Sequence, residues 1–124
     1  AHISFTNIDK EIATFSTFWL QDILRKKIGF TGIILSDDLS MKGSDHVGGI
    51  EAKVSKALDS GCNMVLICND RPAAIEAINF LEKEKISQSF KITRLKASKS
   101  ISWTDLEKDS RRKDIIGKLN TIEK

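Results

Sequence analysis

Short apolar runs recur along this chain at intervals of roughly 30 residues, which is the size of one β/α repeat. The runs lie at residues 3–5, 32–35 and 64–68, and each precedes a segment whose apolar residues have helical spacing. The second and third runs do not alternate with polar residues, which is typical of strands buried on both faces of a parallel sheet. The chain is therefore predicted to be an α/β protein of three consecutive β/α units.

The segments after the apolar runs carry the residue types that begin and end helices. Ser16 or Thr17 can cap a first helix, and Gly29 stands where a helix-ending glycine is expected. A second helix is predicted to end at Gly61, and a third to begin near Asp70. The glycines are followed within a few residues by the next apolar run, as in proteins built from β/α repeats.

The pattern changes after residue 85. Residues 86–95 are predicted to form a short helix, residues 96–102 a polar linker, and Ser102 the cap of a last helix. Three strands cannot close a barrel, and an open array of them leaves a strand edge exposed. We therefore expect the chain to be a fragment of a larger β/α array, followed by a helical tail at residues 98–124.

Composition and charge exclude several classes of function. With 40% hydrophobic and 30% charged residues, the 124-residue chain has the balance of an ordinary soluble domain. No stretch approaches the roughly 20 apolar residues of a membrane span, so no membrane partner is expected. The net charge is only +3, and the basic cluster at residues 111–113 is interpreted as a solvated helix face rather than a nucleic-acid site.

The two cysteines flank the third apolar run. If that run is a strand, Cys62 and Cys68 lie about 20 Å apart at ~3.3 Å per residue, too far to pair with each other. We expect two free, buried thiols, which fit a reducing compartment such as the cytoplasm. Their spacing matches no zinc motif, so no metal role is predicted for them.

Parallel β/α folds carry their functional side chains at the carboxyl ends of the strands, and two acidic residues follow one of the predicted strands. The second run leads into Ser36, Asp37 and Asp38, two adjacent carboxylates with no basic residue beside them before Lys42. Spacing alone leaves both a capping and a catalytic role open for Asp37. For Asp38 the capping interpretation is favoured, because neighbouring strand residues point to opposite faces.

Other polar or sulfur-containing residues near the strand ends have plainer interpretations. His2 is interpreted as a buried structural histidine, and Asp70 as a helix cap. His46 lies in a glycine-rich loop and is predicted to be exposed. Met41 is interpreted as a packing residue.

The run from Leu24 to Met41 closely resembles the nucleophile segment of family 3 glycoside hydrolases. That family pattern is Leu-Arg, a short basic stretch, Gly-Phe, Gly, an apolar strand, and then Ser-Asp or Thr-Asp. The form Ser-Asp-Asp-Leu-Ser-Met at residues 36–41 is typical of the bacterial β-N-acetylhexosaminidase branch, whose members act in cell-wall recycling. Residues 1–2 and 57–69 match the same branch, and the resemblance is weakest after residue 97.

The resemblance implies that the chain holds the last three β/α units of a (β/α)₈ TIM barrel plus a C-terminal helical tail. Residue 1 then falls at the start of the sixth strand, Asp37 ends the seventh, and Cys68 ends the eighth. Residues 1–97 are accordingly expected to be the C-terminal portion of the barrel domain.

The same resemblance implies that Asp37 is the nucleophile, which forms a covalent glycosyl-enzyme that water hydrolyses with retention. The general acid/base of this branch is a His held by an Asp on the loop after the fifth strand, ahead of residue 1. Neither His2 nor His46 occupies that motif, and neither receives the role. His2 and Met41 correspond to strand-end positions that face the site, and a substrate-lining role is expected for both.

These expectations together describe a cytoplasmic retaining exo-β-N-acetylglucosaminidase that removes terminal β-linked GlcNAc from peptidoglycan fragments. It would need no metal or organic cofactor, its partners would be a muropeptide substrate and the missing N-terminal barrel segment, and the 124-residue chain alone would be inactive. The alternative is a non-catalytic β/α module from a split or truncated gene. A flavodoxin-like receiver domain would place its acidic pair after the first strand, whereas the acidic pair of this chain follows the second apolar run.

Overall fold

The computed structural model describes residues 2–87, 90–97 and 99–122. Within these ranges the strands form a two-stranded antiparallel sheet and a two-stranded parallel sheet. The elements in chain order are β1 (Ser4–Phe5), β2 (Asp9–Ile12), a 3₁₀ turn (Ala13–Phe15), a π-helix (Phe18–Lys27), β3 (Leu35–Asp38), a 3₁₀ helix (Lys42–Val47), α1 (Ile50–Ser60), β4 (Met64–Leu66), α2 (Arg71–Lys83), a 3₁₀ helix (Phe90–Leu95), α3 (Trp103–Lys108) and α4 (Ser110–Ile122).

The prediction of three parallel strands is wrong for the first of them. β1 is two residues long and pairs with β2 in an antiparallel hairpin. The turn between them is closed by a hydrogen bond from the Ile8 N–H to the Phe5 carbonyl at 2.7 Å, and the Ala13 N–H donates to the Ile3 carbonyl at 2.9 Å. A hairpin needs only a short turn, whereas a parallel neighbour needs a long crossover, so the local partner takes the strand.

The segment between the two sheets is helical, as predicted, and the predicted residues delimit it. The hydroxyl of Ser16 accepts the Trp19 N–H at 3.0 Å and donates to a carboxylate oxygen of Asp9, so Ser16 is the capping residue. Gly29 has φ +74°, the left-handed conformation that ends a helix at little cost for glycine. The helix itself is a π-helix rather than an α-helix, with Ile28 N–H bonding to the Ile23 carbonyl at 2.9 Å.

β3 and β4 are parallel, in agreement with the prediction, although both differ from the predicted bounds. Leu35 pairs with Met64, and Asp38 pairs with Leu66, with a register shift between them. At that shift the Ser36 hydroxyl accepts the Leu66 N–H at 2.9 Å, in place of a backbone carbonyl. The pairing continues past the strand, since the Leu39 N–H donates to the Leu66 carbonyl at 2.8 Å. β3 begins three residues later than the predicted run, so the two carboxylates lie inside the strand.

Arg25 explains much of the motif that precedes β3. Its guanidinium donates to the carbonyls of Phe30 at 2.8 Å and Gly32 at 2.7 Å, and to Asn63 Oδ1 at 2.9 Å. It also lies 5.4 Å from the centroid of the Phe30 ring. The Phe30 ring covers Gly32 so closely that a Cβ there would come within 2.5 Å of it. The π-helix, the loop and the start of β4 are therefore joined through one side chain.

The hydrophobic core lies between the parallel sheet and the helices that follow each strand. α1 ends at Gly61, which has φ +118°, and α2 begins at Asp70, whose carboxylate accepts the Ala73 N–H at 3.0 Å. Both predicted boundaries are confirmed. The buried apolar residues come from the first 3₁₀ turn, α1, α2 and the segments that flank β3 and precede β4, and they are Phe15, Ile34, Leu39, Ile50, Val54, Ala57, Cys62 and Ala77.

The C-terminal segment is helical, as predicted, but it forms two helices instead of one. Ser102 caps α3 by accepting the Asp105 N–H at 3.1 Å. The chain becomes extended at Asp109, whose carboxylate accepts the Arg111 N–H at 2.9 Å and thereby starts α4. Of the predicted helix at residues 86–95, residues 88 and 89 lie outside the described ranges, and Phe90–Leu95 is a 3₁₀ helix.

The cysteines are free, but only one is buried. Cys62 lies in the core, and its burial raises the pKa of its thiol to about 11. Cys68 is exposed, contrary to the prediction, because β4 ends at Leu66 and the chain has left the sheet two residues later. Within the described residues, no helix is long and apolar enough to cross a membrane.

Candidate active site

Asp38, the last residue of β3, is a structural carboxylate. Its Oδ1 accepts the N–H groups of Ser40 and Cys68, both at 3.0 Å, and the Ser40 hydroxyl at 2.7 Å. The hydrogen bond from the Ser40 backbone is the main reason that the pKa of Asp38 lies below its ordinary value. Asp38 thus ties the turn after β3 to the end of β4, which confirms the capping interpretation.

Asp37 has a different environment from its neighbour. Its side chain is 37% exposed, and its Oδ2 lies 3.6 Å from Nδ1 of His2. Its Oδ1 accepts the N–H of Asp38 at 2.9 Å. The carboxylate is therefore held at the carboxyl end of β3 with part of its surface open to solvent.

His2 is buried beside Asp37, and the predicted burial of this histidine is confirmed. Its side chain is only 5% exposed, and its ring lies 6.1 Å from the Phe15 ring between centroids. Neither ring nitrogen has a hydrogen-bond partner within the described part of the chain. Burial lowers the pKa of His2 below its ordinary value, and the attraction of Asp37 offsets this only in part, so the imidazole is neutral near pH 7.

Lys53 contacts the turn that follows β3. The sequence analysis did not identify this lysine as a residue of the site. The Lys53 ammonium is buried and donates to the Leu39 carbonyl at 3.1 Å and to Asp45 at 2.7 Å. The hydrogen bond from Lys53 to Asp45 is the main cause of the lowered pKa of Asp45. The Ser44 hydroxyl lies 2.9 Å from the same Leu39 carbonyl. The available signal was a lysine on the apolar face of a predicted helix, one turn after Ile50.

The remaining candidates lie around this turn. Met41 is 48% exposed on it, and its N–H donates to the Asp38 carbonyl at 3.1 Å. His46 is exposed, as predicted, with its ring 6.2 Å from that of Phe15. Asp70 is a helix cap, also as predicted. The structure therefore brings His2 to Asp37 and leaves Met41 at the open side of the turn.

This arrangement offers one accessible carboxylate next to a neutral imidazole at a strand end. Asp38 is committed to three hydrogen bonds through one oxygen, whereas Asp37 retains an open side. Among residues 2–87, 90–97 and 99–122, no group of three or more His, Cys, Asp or Glu side chains is placed to hold a metal ion. The chemistry that the site itself can supply is nucleophilic attack or proton acceptance by Asp37.

The chain is similar to curated β-hexosaminidases. It is 35% identical over 128 aligned residues to the β-hexosaminidase of Mannheimia succiniciproducens, an alignment that includes 99% of this chain and 37% of the relative. It is 40% identical over 114 aligned residues to that of Tolumonas auensis, with 92% of this chain and 33% of the relative covered. The chain thus spans about a third of the length of these relatives.

A solved structure and a family model also match this chain. The crystal structure of NagZ from Neisseria gonorrhoeae in complex with N-trifluoroacetyl-D-glucosamine matches with a TM-score of 0.59 and 35% identity, over 76% of this chain and 26% of that one. The model of the glycosyl hydrolase family 3 N-terminal domain matches residues 1–96, which is most of the chain and includes both sheets. The chain therefore belongs to glycosyl hydrolase family 3.

Proposed function

We propose that Asp37 is the catalytic nucleophile of a retaining exo-β-N-acetylglucosaminidase, to which this chain contributes the C-terminal part of the barrel. The observation that carries this proposal is the contrast between two adjacent carboxylates. The Asp38 carboxylate accepts the hydrogen bonds that hold the turn, whereas Asp37 is partly exposed at the strand end. A nucleophile needs an ionised and accessible oxygen, and of the pair Asp37 has it.

The proposed reaction proceeds in two displacements. The Asp37 carboxylate attacks the anomeric carbon, the bond from that carbon to the leaving oxygen breaks, and an acid from the rest of the barrel protonates that oxygen. Water, deprotonated by the same group, then attacks the anomeric carbon and releases Asp37, so the configuration is retained. In this chain the His2 ring lies 3.6 Å from Asp37 and Asp38 is its neighbour, and neither is assigned the role of acid.

The proposed substrate is a terminal β-linked GlcNAc residue on a muropeptide, in the cytoplasm. The names of the β-hexosaminidase relatives, and the N-trifluoroacetyl-D-glucosamine bound by the Neisseria gonorrhoeae relative, support a 2-acylamino sugar. His2 and Met41 are proposed to line the sugar site from either side of Asp37. No metal or organic cofactor is part of the proposal, because Asp37 and the acid supply the chemistry between them.

The proposed macromolecular partner is the remainder of the barrel. Within the described residues the parallel sheet has two strands, so each strand has an edge without a neighbour, and the sheet exposes apolar side chains that a closed barrel would bury. Leu35 of β3 is 46% exposed, and Leu66 of β4 is 36% exposed. We expect the 124-residue chain alone to lack measurable glycosidase activity, because positioning of the sugar by the other strands contributes a large share of catalysis.

The decisive experiment uses a fusion of this chain to the part of the Tolumonas auensis β-hexosaminidase that it does not cover. Asp37→Ala is expected to lower kcat for an aryl β-N-acetylglucosaminide by roughly 10⁴-fold or more, as loss of a nucleophile does. Asp38→Asn is the matched control and should impair turnover less. A fluorinated glycosyl trap should label Asp37, as mapped by peptide mass spectrometry.

Two further results separate the proposal from its alternatives. Azide added to the Asp37→Ala fusion should restore turnover and yield the α-glycosyl azide, because the anion occupies the space of the lost carboxylate. Labelling at Asp38 would overturn the assignment. An active fusion without any covalent adduct would indicate a mechanism assisted by the substrate amide, and an inactive unaltered fusion would favour a non-catalytic β/α module.

A further inference from the structure

His2 has an unusual combination of properties for a buried histidine. Its side chain is 95% removed from solvent, and both ring nitrogens are without a hydrogen-bond partner in the described residues. Buried polar groups are normally hydrogen-bonded, and an exception calls for an explanation. Oδ2 of the Asp37 carboxylate lies 3.6 Å from Nδ1.

We propose that His2 is a positioning residue for Asp37, donating a hydrogen bond from Nδ1 to Oδ2 of that carboxylate in the substrate-bound enzyme. The inference rests on the proposed function of Asp37 and extends it. The separation of 3.6 Å is too long for a hydrogen bond in the free chain. Hydrogen bonds in active sites are often long without substrate and shorten in the complex.

A hydrogen bond from His2 would fix the orientation of the Asp37 carboxylate. Oδ1 is already held by the Asp38 N–H at 2.9 Å, so a donor on Oδ2 holds the carboxylate at both oxygens and fixes its plane. The lone pair that attacks the sugar then points in one direction. Without the second donor, the carboxylate can rotate about its last bond and lose the alignment on which displacement depends.

The position of the imidazole is set by the core and not by the substrate. One face of the ring is close to Phe15, which is 2% exposed, with a centroid separation of 6.1 Å. The Cβ of His2 faces Gly43, where an added Cβ would come within 2.9 Å of it. A residue held in this way is preorganised, so little is lost when it orients a neighbour.

The charge of His2 suits the role. Burial lowers the pKa of the imidazole, Lys53 lowers it further, and Asp37 and Asp38 act in the opposite direction. A neutral ring donates one hydrogen bond without cancelling the negative charge of the nucleophile. An imidazolium would form an ion pair with Asp37 and stabilise the carboxylate against attack on the sugar.

The test compares two substitutions of His2 in the fused enzyme described above. His2→Phe keeps the ring and its packing on Phe15 but removes the donor, whereas His2→Gln keeps an N–H donor and loses the ring. We expect His2→Phe to lower kcat and the rate of trap labelling by about 10–100-fold, with KM within twofold. His2→Gln should recover most of that loss, and His46→Phe, at an exposed histidine, should have no effect.

Each other result overturns the inference. Unchanged kcat and KM in His2→Phe would mean that His2 only packs, and a raised KM with unchanged kcat would mean that it lines the sugar site without positioning Asp37. Equal losses in both variants would mean a structural role. If Asp37→Ala remains active, the proposed nucleophile fails as well, whereas trap labelling of Asp37 with an unimpaired His2→Phe defeats this inference alone.

A second measurement does not depend on turnover. In the fused enzyme saturated with GlcNAc, the ¹⁵N shifts of the His2 ring at pH 7 should identify a neutral imidazole protonated at Nδ1. An Nε2-protonated ring or an imidazolium would contradict the proposal even if the enzyme variants proved too unstable to assay.

Discussion

Arg25 is expected to be one of the main stabilising residues of this chain outside the core. Its guanidinium donates three hydrogen bonds, to two loop carbonyls and to Asn63. Water can replace the bond to the exposed Phe30 carbonyl, but the other two are partly buried. A hydrogen bond from a charged donor contributes about 1.5–3 kcal/mol. Allowing for the ordering of the side chain, Arg25→Met should lower the free energy of unfolding by about 2–4 kcal/mol.

The assay is urea denaturation followed by far-UV circular dichroism, with thermal melting as a second measure. A loss of this size corresponds to a fall in Tm on the order of 10 °C for a chain of this length. Lys26→Met on the same helix is the matched control, because its ion pair with Asp22 is exposed and should contribute only about 0.3–0.5 kcal/mol. A loss below about 0.5 kcal/mol for Arg25→Met would refute the reasoning.

A double-mutant cycle locates the effect. Asn63 Oδ1 also accepts the Ile34 N–H at 3.0 Å, so it connects Arg25 to the start of β3. Asn63→Ala combined with Arg25→Met should show a coupling energy of about 0.5–3 kcal/mol. Additive effects would mean that the two side chains stabilise the chain independently, contrary to the contact.

Two other predictions concern a turn and the thiols. Gly61→Ala should destabilise the chain by more than about 1 kcal/mol in the same urea assay, because φ is +118° and a Cβ would come within 1.8 Å of the Gln21 amide nitrogen; an unchanged midpoint would contradict this. Iodoacetamide at pH 8 should modify the exposed Cys68 and spare Cys62 until urea is added, because burial raises the pKa of the Cys62 thiol to about 11 and the reactive thiolate is scarce. Mass spectrometry showing equal modification of both in the native chain would count against the buried position of Cys62.

Features that depend on a few neighbouring residues were predictable from the sequence. Ser16, Asp70 and Ser102 cap helices because a short oxygen-bearing side chain satisfies backbone N–H groups within the next turn. Gly29 and Gly61 end helices because the backbone has positive φ at both positions, a conformation that glycine adopts at little cost. The parallel pairing of β3 with β4 followed from two non-alternating apolar runs, since such strands are buried on both faces.

Features that depend on residues far apart in the sequence required the tertiary structure. Residue spacing favoured a capping role for Asp38 and left that of Asp37 open, and the environments of the two differ because the Cys68 N–H, 30 residues away, reaches only Asp38. His2 meets Asp37 across 35 positions of the chain, and Lys53 reaches Leu39 across 14. Local patterns carry no information on which distant donor a side chain will find, because packing of the core decides it. The hairpin of β1 with β2 is local, but the sequence did not predict it either, since an apolar run does not specify its hydrogen-bonded neighbour.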